Sequence, residues 1–94
     1  MIRVVKMEFA ADKVSDFLSL FEERRTRIRN VAGCTHLELW RDKHNPTVFF
    51  TYSHWQDESY LDAYRHSDFF QETWQLTKAL FVARPLAWSI DNVM

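Results

Sequence analysis

Apolar and polar residues alternate from Arg3 to Phe9, with Lys6 and Glu8 separating Val5, Met7 and Phe9. A period of two predicts a half-buried first strand. After Asp12, a residue type suited to an N-cap, the period lengthens. Val14, Phe17, Leu18, Phe21 and Ile28 share one helical stripe, which predicts a first helix ending at or just before Gly33. "THLELWRD" alternates again, Asn45-Pro46 supplies turn chemistry, and "TVFFTYSHW" continues as a long strand, so residues 34–55 read as a hairpin. Asp57 opens an acidic turn before Tyr60, Leu61 and Tyr64. Ser67, a second cap type, restarts or bends that helix ahead of Phe70, Trp74, Thr77, Leu80 and Phe81. Pro85 stops it, and "LAWSID" supplies a fourth strand.

The predicted order is β-α-β-β-α-β in a single α+β domain over residues 1–94. That is the ferredoxin-like sandwich, a four-stranded antiparallel sheet with helices on one face. A hairpin turning about residue 44 sets Trp40 opposite Val48, Glu38 opposite Phe50, His36 opposite Tyr52 and Cys34 opposite His54. This parity leaves His36, Glu38, Trp40, Phe50, Tyr52 and His54 on the open face. The mixture is too apolar for comfort in water and suits the sheet of a second subunit. Leu37, Leu39, Phe49, Thr51, Ser53 and Trp55 look toward the helices instead, with Val5, Met7 and Phe9.

Composition narrows the classes. With 94 residues, 47% hydrophobic and 27% charged, the chain is one globular domain, and eight Phe with four Trp exceed what so small a core needs. A homo-oligomer is the expectation. A net charge of −1 lacks the basic field that grips nucleic acid or an anionic membrane. Arg3, Lys6 and Glu8 interrupt what would be the apolar part of a signal peptide, and no run is long enough to span a bilayer, so a cytoplasmic location is expected. The single glycine, Gly33, leaves no Gly-rich phosphate loop or dinucleotide fingerprint. The single cysteine, Cys34, has no thiol partner for a disulfide or a Cys-based zinc motif and reads as a small buried apolar residue. His36 and His54 approach across the hairpin diagonal, yet two imidazoles without a third ligand do not make a metal site, and none is expected. His44 in a turn and His66 at a helix break read as exposed. Glu23 and Arg27 are spaced to pair on a solvated helix face.

Gly33-Cys34 after the first helix, Tyr52-x-x-Trp55 followed by Asp57, and Ser67-x-x-Phe70 in the second helix resemble the antibiotic biosynthesis monooxygenase family over nearly the whole chain. The resemblance implies a homodimer whose two sheets pack into a dimeric α+β barrel. It also implies a cleft in each subunit between the helices and the Ser53/Trp55 face. The implied activity is oxidation of a small aromatic, phenolic or quinol substrate by dioxygen, with no cofactor. Trp55 and Trp74 would sandwich the ring, Tyr64 and Ser53 would hydrogen-bond its oxygens, and Met7, Thr51 and Phe70 would complete the substrate contacts. Ser53, Tyr64 and Trp55 are therefore the catalytic candidates.

The chain also departs from that pattern. Ser53 stands where the family often has glutamate, and Tyr64 and Phe69 stand where it often has histidine. A carboxylate or imidazole can take a proton from a phenol near neutral pH, whereas a serine or tyrosine hydroxyl is a poor base there. The alternative is a non-catalytic binding or sensing module with the same fold. The haem-degrading branch of the family matches less well, because Trp74 occupies the position of its iron-ligand histidine and Val5 approximately that of its strand-one asparagine. An indole nitrogen does not ligate iron. On residue type alone, Trp55, Tyr64 and Trp74 are equally at home as packed core aromatics.

Overall fold

The computed structural model describes residues 1–94. Strand β1 (Ile2–Glu8) leads through a 3-10 turn, Ala11–Lys13, into helix α1 (Val14–Arg29). Strands β2 (Cys34–Arg41) and β3 (Val48–Trp55) form the hairpin, and helices α2 (Glu58–Arg65) and α3 (Asp68–Lys78) precede strand β4 (Leu86–Ile90). The sheet order is β2-β3-β1-β4, antiparallel at every pairing. This is the expected ferredoxin-like α+β sandwich, with the second helix divided in two.

The division has a local cause. The Ser67 hydroxyl donates to the Tyr64 carbonyl at 2.6 Å and accepts from the Phe70 N–H at 3.1 Å, so one side chain closes α2 and caps α3. Asp57 caps α2, accepting the Ser59 N–H at 2.7 Å, and the Ser59 hydroxyl on the same carboxylate is the main cause holding Asp57 below its ordinary pKa. Asp12 does not cap α1 as its residue type suggested. It lies inside the 3-10 turn, and α1 starts after Lys13 without any side-chain cap. Gly33 has a φ of +85°, and a Cβ built there would lie 2.2 Å from Cγ of Tyr60. Only glycine can take that backbone against that ring.

The hairpin register differs from the expected one by two residues. Trp40 faces Phe50, Glu38 faces Tyr52 and His36 faces His54. The shift follows from a longer turn, which Asp42 organises by accepting the His44 and Asn45 N–H groups at 2.8 and 2.9 Å. Those two bonds also hold its carboxyl below the usual range. A shift of two preserves parity, so each side chain beyond the bulge keeps its predicted face. Cys34 does not. A bulge between Cys34 and His36 pairs it with Trp55 rather than His54 and buries it with Trp55 and Leu61 beneath the helices, where burial pushes its thiol pKa up.

The core falls into two clusters. One joins Met7, Phe9, Phe17 and Phe49, with the Phe9 and Phe17 rings stacked at 4.1 Å. The other joins Cys34, Trp55 and Leu61. Helix α1 lies against β2 and α2 against β3, whereas α3 makes no comparably close approach to the sheet. It is tethered to α1 instead. Arg24 donates to the Thr73 hydroxyl at 2.8 Å and pairs with Glu72 at 3.2 Å, and the Arg27 guanidinium lies 4.1 Å over the Phe69 ring. The basic run of α1 is thus only partly a solvated face, and the Glu23–Arg27 pairing suggested by spacing does not form: Glu23 reaches Arg24 at 4.0 Å.

Candidate functional site

Because α3 stands off the sheet, a cavity of about 530 Å³ remains between the helices and the inner face of β1 and β3. Members of both core clusters line it, which places it where the core divides. The parity of β1 and β3 sends Val5, Met7, Thr51, Ser53 and Trp55 into it from below, while α2 and α3 supply Tyr64, Phe70 and Trp74 from above. Met7, Thr51, Ser53, Trp55, Tyr64, Phe70 and Trp74, named from the sequence as substrate contacts, all line this one space. A groove of about 950 Å³ between α1 and the edge of β2 is larger, but polar and charged side chains such as Glu22, Arg25 and Arg29 dominate its lining. It lacks the aromatic walls that would hold a flat ring.

The cavity walls are ordered by ring contacts. Trp55 stacks on Tyr64 with centroids 5.4 Å apart, Tyr64 meets Phe70 edge-on at 5.0 Å, and Phe70 stacks on Trp74 at 6.0 Å. Tyr64 thus occupies the face of Trp55 that a ligand sandwiched between Trp55 and Trp74 would have needed. Ser53 is also committed. Its hydroxyl accepts the Trp55 indole N–H at 3.0 Å and donates to the Arg3 carbonyl at 3.5 Å. Burial pushes the Tyr64 pKa up to about 12, so its phenol stays protonated at neutral pH and can only donate or accept a hydrogen bond.

Phe69 does not line the cavity. It packs beneath Arg24 and Arg27 of α1, at 5.8 and 4.1 Å from the ring centre, so this position serves helix packing here. The imidazole that does line the cavity is His66, which is exposed, as the sequence suggested, and lies at the cavity's rim. It caps α2, and its Nδ1 is 2.7 Å from the Asp62 carbonyl. A carbonyl only accepts, so Nδ1 carries the proton and Nε2 of the neutral ring keeps its lone pair. Sequence reasoning also missed Arg3, Arg65, Gln71 and Thr73 in the lining. The odd-position parity of β1 could have flagged Arg3; nothing in the pattern of α2 flags Arg65 or His66.

On the opposite sheet face, His36 and His54 lie with ring centroids 5.5 Å apart, and His54 pairs with the Tyr52 hydroxyl at 2.8 Å. Glu38 bonds His36 and accepts the Trp40 indole N–H at 2.9 Å, and those two bonds, His36 first, hold its carboxyl below the usual range. No three His, Cys, Asp or Glu side chains converge in a way that could hold a metal ion.

Residues 1–75 match the family model for antibiotic biosynthesis monooxygenases. The chain belongs to that family. A conserved protein from Methanosarcina mazei Go1 superimposes with a TM-score of 0.85 at 26% identity, over 92% of this chain and 86% of its own. A structure described as an antibiotic biosynthesis monooxygenase superimposes with a TM-score of 0.89 at 21% identity over 100% of both chains. A Mycobacterium tuberculosis protein does so with a TM-score of 0.84 at 14% identity, over 99% of this chain and 97% of its own. At such identities the last two establish the fold alone. No curated protein matches the chain by sequence. No helix is long and apolar enough to cross a membrane.

Proposed function

We propose that this protein is a cofactor-independent monooxygenase that oxidises a small phenol or quinol inside the cavity walled by Trp55, Tyr64, Phe70 and Trp74. The observation that carries this reading is the cavity itself. A domain with so large an aromatic content had side chains enough to fill the space, yet about 530 Å³ stays open beside polar groups. The substrate supplies all the electrons. Dioxygen attacks the electron-rich ring of the phenolate; one oxygen atom enters as a carbonyl at a ring carbon that loses its one hydrogen, the phenol O–H gives up the second, and both leave with the other oxygen atom as water.

The protein's part is to orient the ring, keep water out and handle the proton. His66 Nε2 is the proton acceptor, in place of the histidines that the family often has where this chain has Tyr64 and Phe69. Tyr64, protonated at neutral pH, donates a hydrogen bond to the developing phenolate. Ser53 holds the Trp55 indole in place through the 3.0 Å bond. The working unit in this proposal is a homodimer joined through the open sheet face. Support comes from Trp40, Leu86, Trp88 and Ile90, which are 42–49% exposed in the single chain. The register sets Val4 between Trp88 and Tyr52, and Ile2 between Ile90 and His54, extending the predicted patch across the sheet.

The test is dioxygen uptake by metal-free protein with hydroquinones, dihydroxynaphthalenes and anthrones. Substrate-dependent uptake above the autoxidation blank should fall about 10²-fold or more in His66→Gln. Binding of the same compounds without uptake would instead assign the chain to the binding-module reading.

A further inference from the structure

Arg3 and Arg65 bring two guanidinium groups to the same aromatic cavity. Arg3 comes from β1, directly opposite Ser53 on one side and Ser89 on the other. Its side chain donates to the Ser89 hydroxyl at 3.0 Å, which fixes the guanidinium and leaves four of its five N–H donors for another partner. Neither arginine is in an ion pair; the arginine pairs of this protein belong to Arg24 and Arg25. Burial, and then the charge of Arg65, lower the Arg3 pKa from its ordinary value. Glu58 and Asp62 of α2 act in the other direction, but neither lines the cavity. Two unpaired like charges beside a half-dry apolar space repel each other, and an anion between them removes that cost and gains charge-assisted hydrogen bonds.

We infer that the ligand of this cavity is an aromatic acid, its ring against the Trp55/Tyr64 wall and its carboxylate held by Arg3 and Arg65. The placement follows from connectivity. Arg3 pairs directly with Ser53, whose hydroxyl accepts the Trp55 indole N–H, so the Arg3 side chain rises on the sheet face that carries the aromatic wall. An anionic group anchored there would fix the ring in one orientation, which hydrophobic stacking alone does not do. The inference deepens the substrate-site reading and rests on it.

The experiment is a binding titration of the intact protein by tryptophan fluorescence, with 2-naphthoate and its methyl ester as probes. The acid should bind about tenfold or more tightly than the ester, as a charge-assisted bond supplies, and added salt should narrow the gap. The double variant Arg3→Gln/Arg65→Gln should abolish the preference, so that acid and ester bind alike. Equal affinities in the native protein, or a preference surviving in the folded double variant, overturn the inference. If the Arg3 substitution prevents folding, as judged by circular dichroism, Arg65→Gln alone at its exposed helix end must cut the preference severalfold. Ester binding as tight as acid binding removes only the anion site. Binding of neither probe removes the aromatic cavity reading as well.

Discussion

The indole of Trp55 lies on the phenol of Tyr64, centroids 5.4 Å apart and 25° from parallel, while its N–H reaches back to Ser53 at 3.0 Å. Ring and nitrogen are fixed by different partners, so they can be separated by mutation. Trp55→Phe keeps a stackable ring but leaves the buried Ser53 oxygen without its donor, and should cost about 1–3 kcal/mol. Trp55→Ala also opens a void at a residue only 3% exposed, and should cost about 3–5 kcal/mol. Urea unfolding of both variants checks the order; equal losses would mean that the ring adds nothing beyond the N–H bond, and no loss in Trp55→Phe would mean that the bond contributes nothing.

The same contact makes stability depend on alkaline pH. The unfolded Tyr64 ionises near 10, while in the fold its pKa is about 12. Between those values the unfolded chain releases the proton first, so stability is fully present below pH 10 and falls as pH rises toward 12. The loss reaches at most about 2–3 kcal/mol. Tyr64→Phe should flatten this part of the pH–stability curve relative to the native protein. A variant curve parallel to the native one would show that Tyr64 is not the group responsible.

Gly33 sits where α1 turns into β2, with φ +85° and the Tyr60 ring 2.2 Å from any added Cβ. Gly33→Ala therefore incurs both a left-handed backbone and a clash, together about 2–5 kcal/mol. Trimming the ring to alanine removes the contacts to Cγ and Cδ1 but leaves Cβ at 2.4 Å, so it relieves only part of the clash. Gly33→Ala should therefore cost less in the Tyr60→Ala background than in the native protein, measured by thermal melting in a double-mutant cycle.

Dimerisation through the open sheet face has a direct check in sedimentation. The native chain should travel at twice its 11.4 kDa mass. Trp88→Glu buries a charge in the proposed interface and should return the monomer, with its circular dichroism unchanged. A native monomer at micromolar concentration would defeat the proposed dimer.

Much of this was legible in the chain, for a physical reason. A period of two or of 3.6 is a property of consecutive residues, and it specified the strands, the helices and which side chains share a face. The inward facing of Met7, Ser53 and Trp55 followed from that parity, whereas Tyr64 and Trp74 entered the expected site through the family resemblance. That facing survived a wrong register because the error was an even number of residues. The bulge at Cys34 was not legible: one extra residue reverses parity, and only pairing with β3 reveals it. Nor was the second role of helix ends. The break at Ser67 was visible as a cap residue, but that the end of α2 turns Arg65 and His66 toward Arg3 depends on how α2 sits on β3. Local chemistry along the chain determined the elements and their faces. Tertiary packing alone decided which charges met, because residues 3 and 65 become neighbours only when the sheet and helices close around the same empty space.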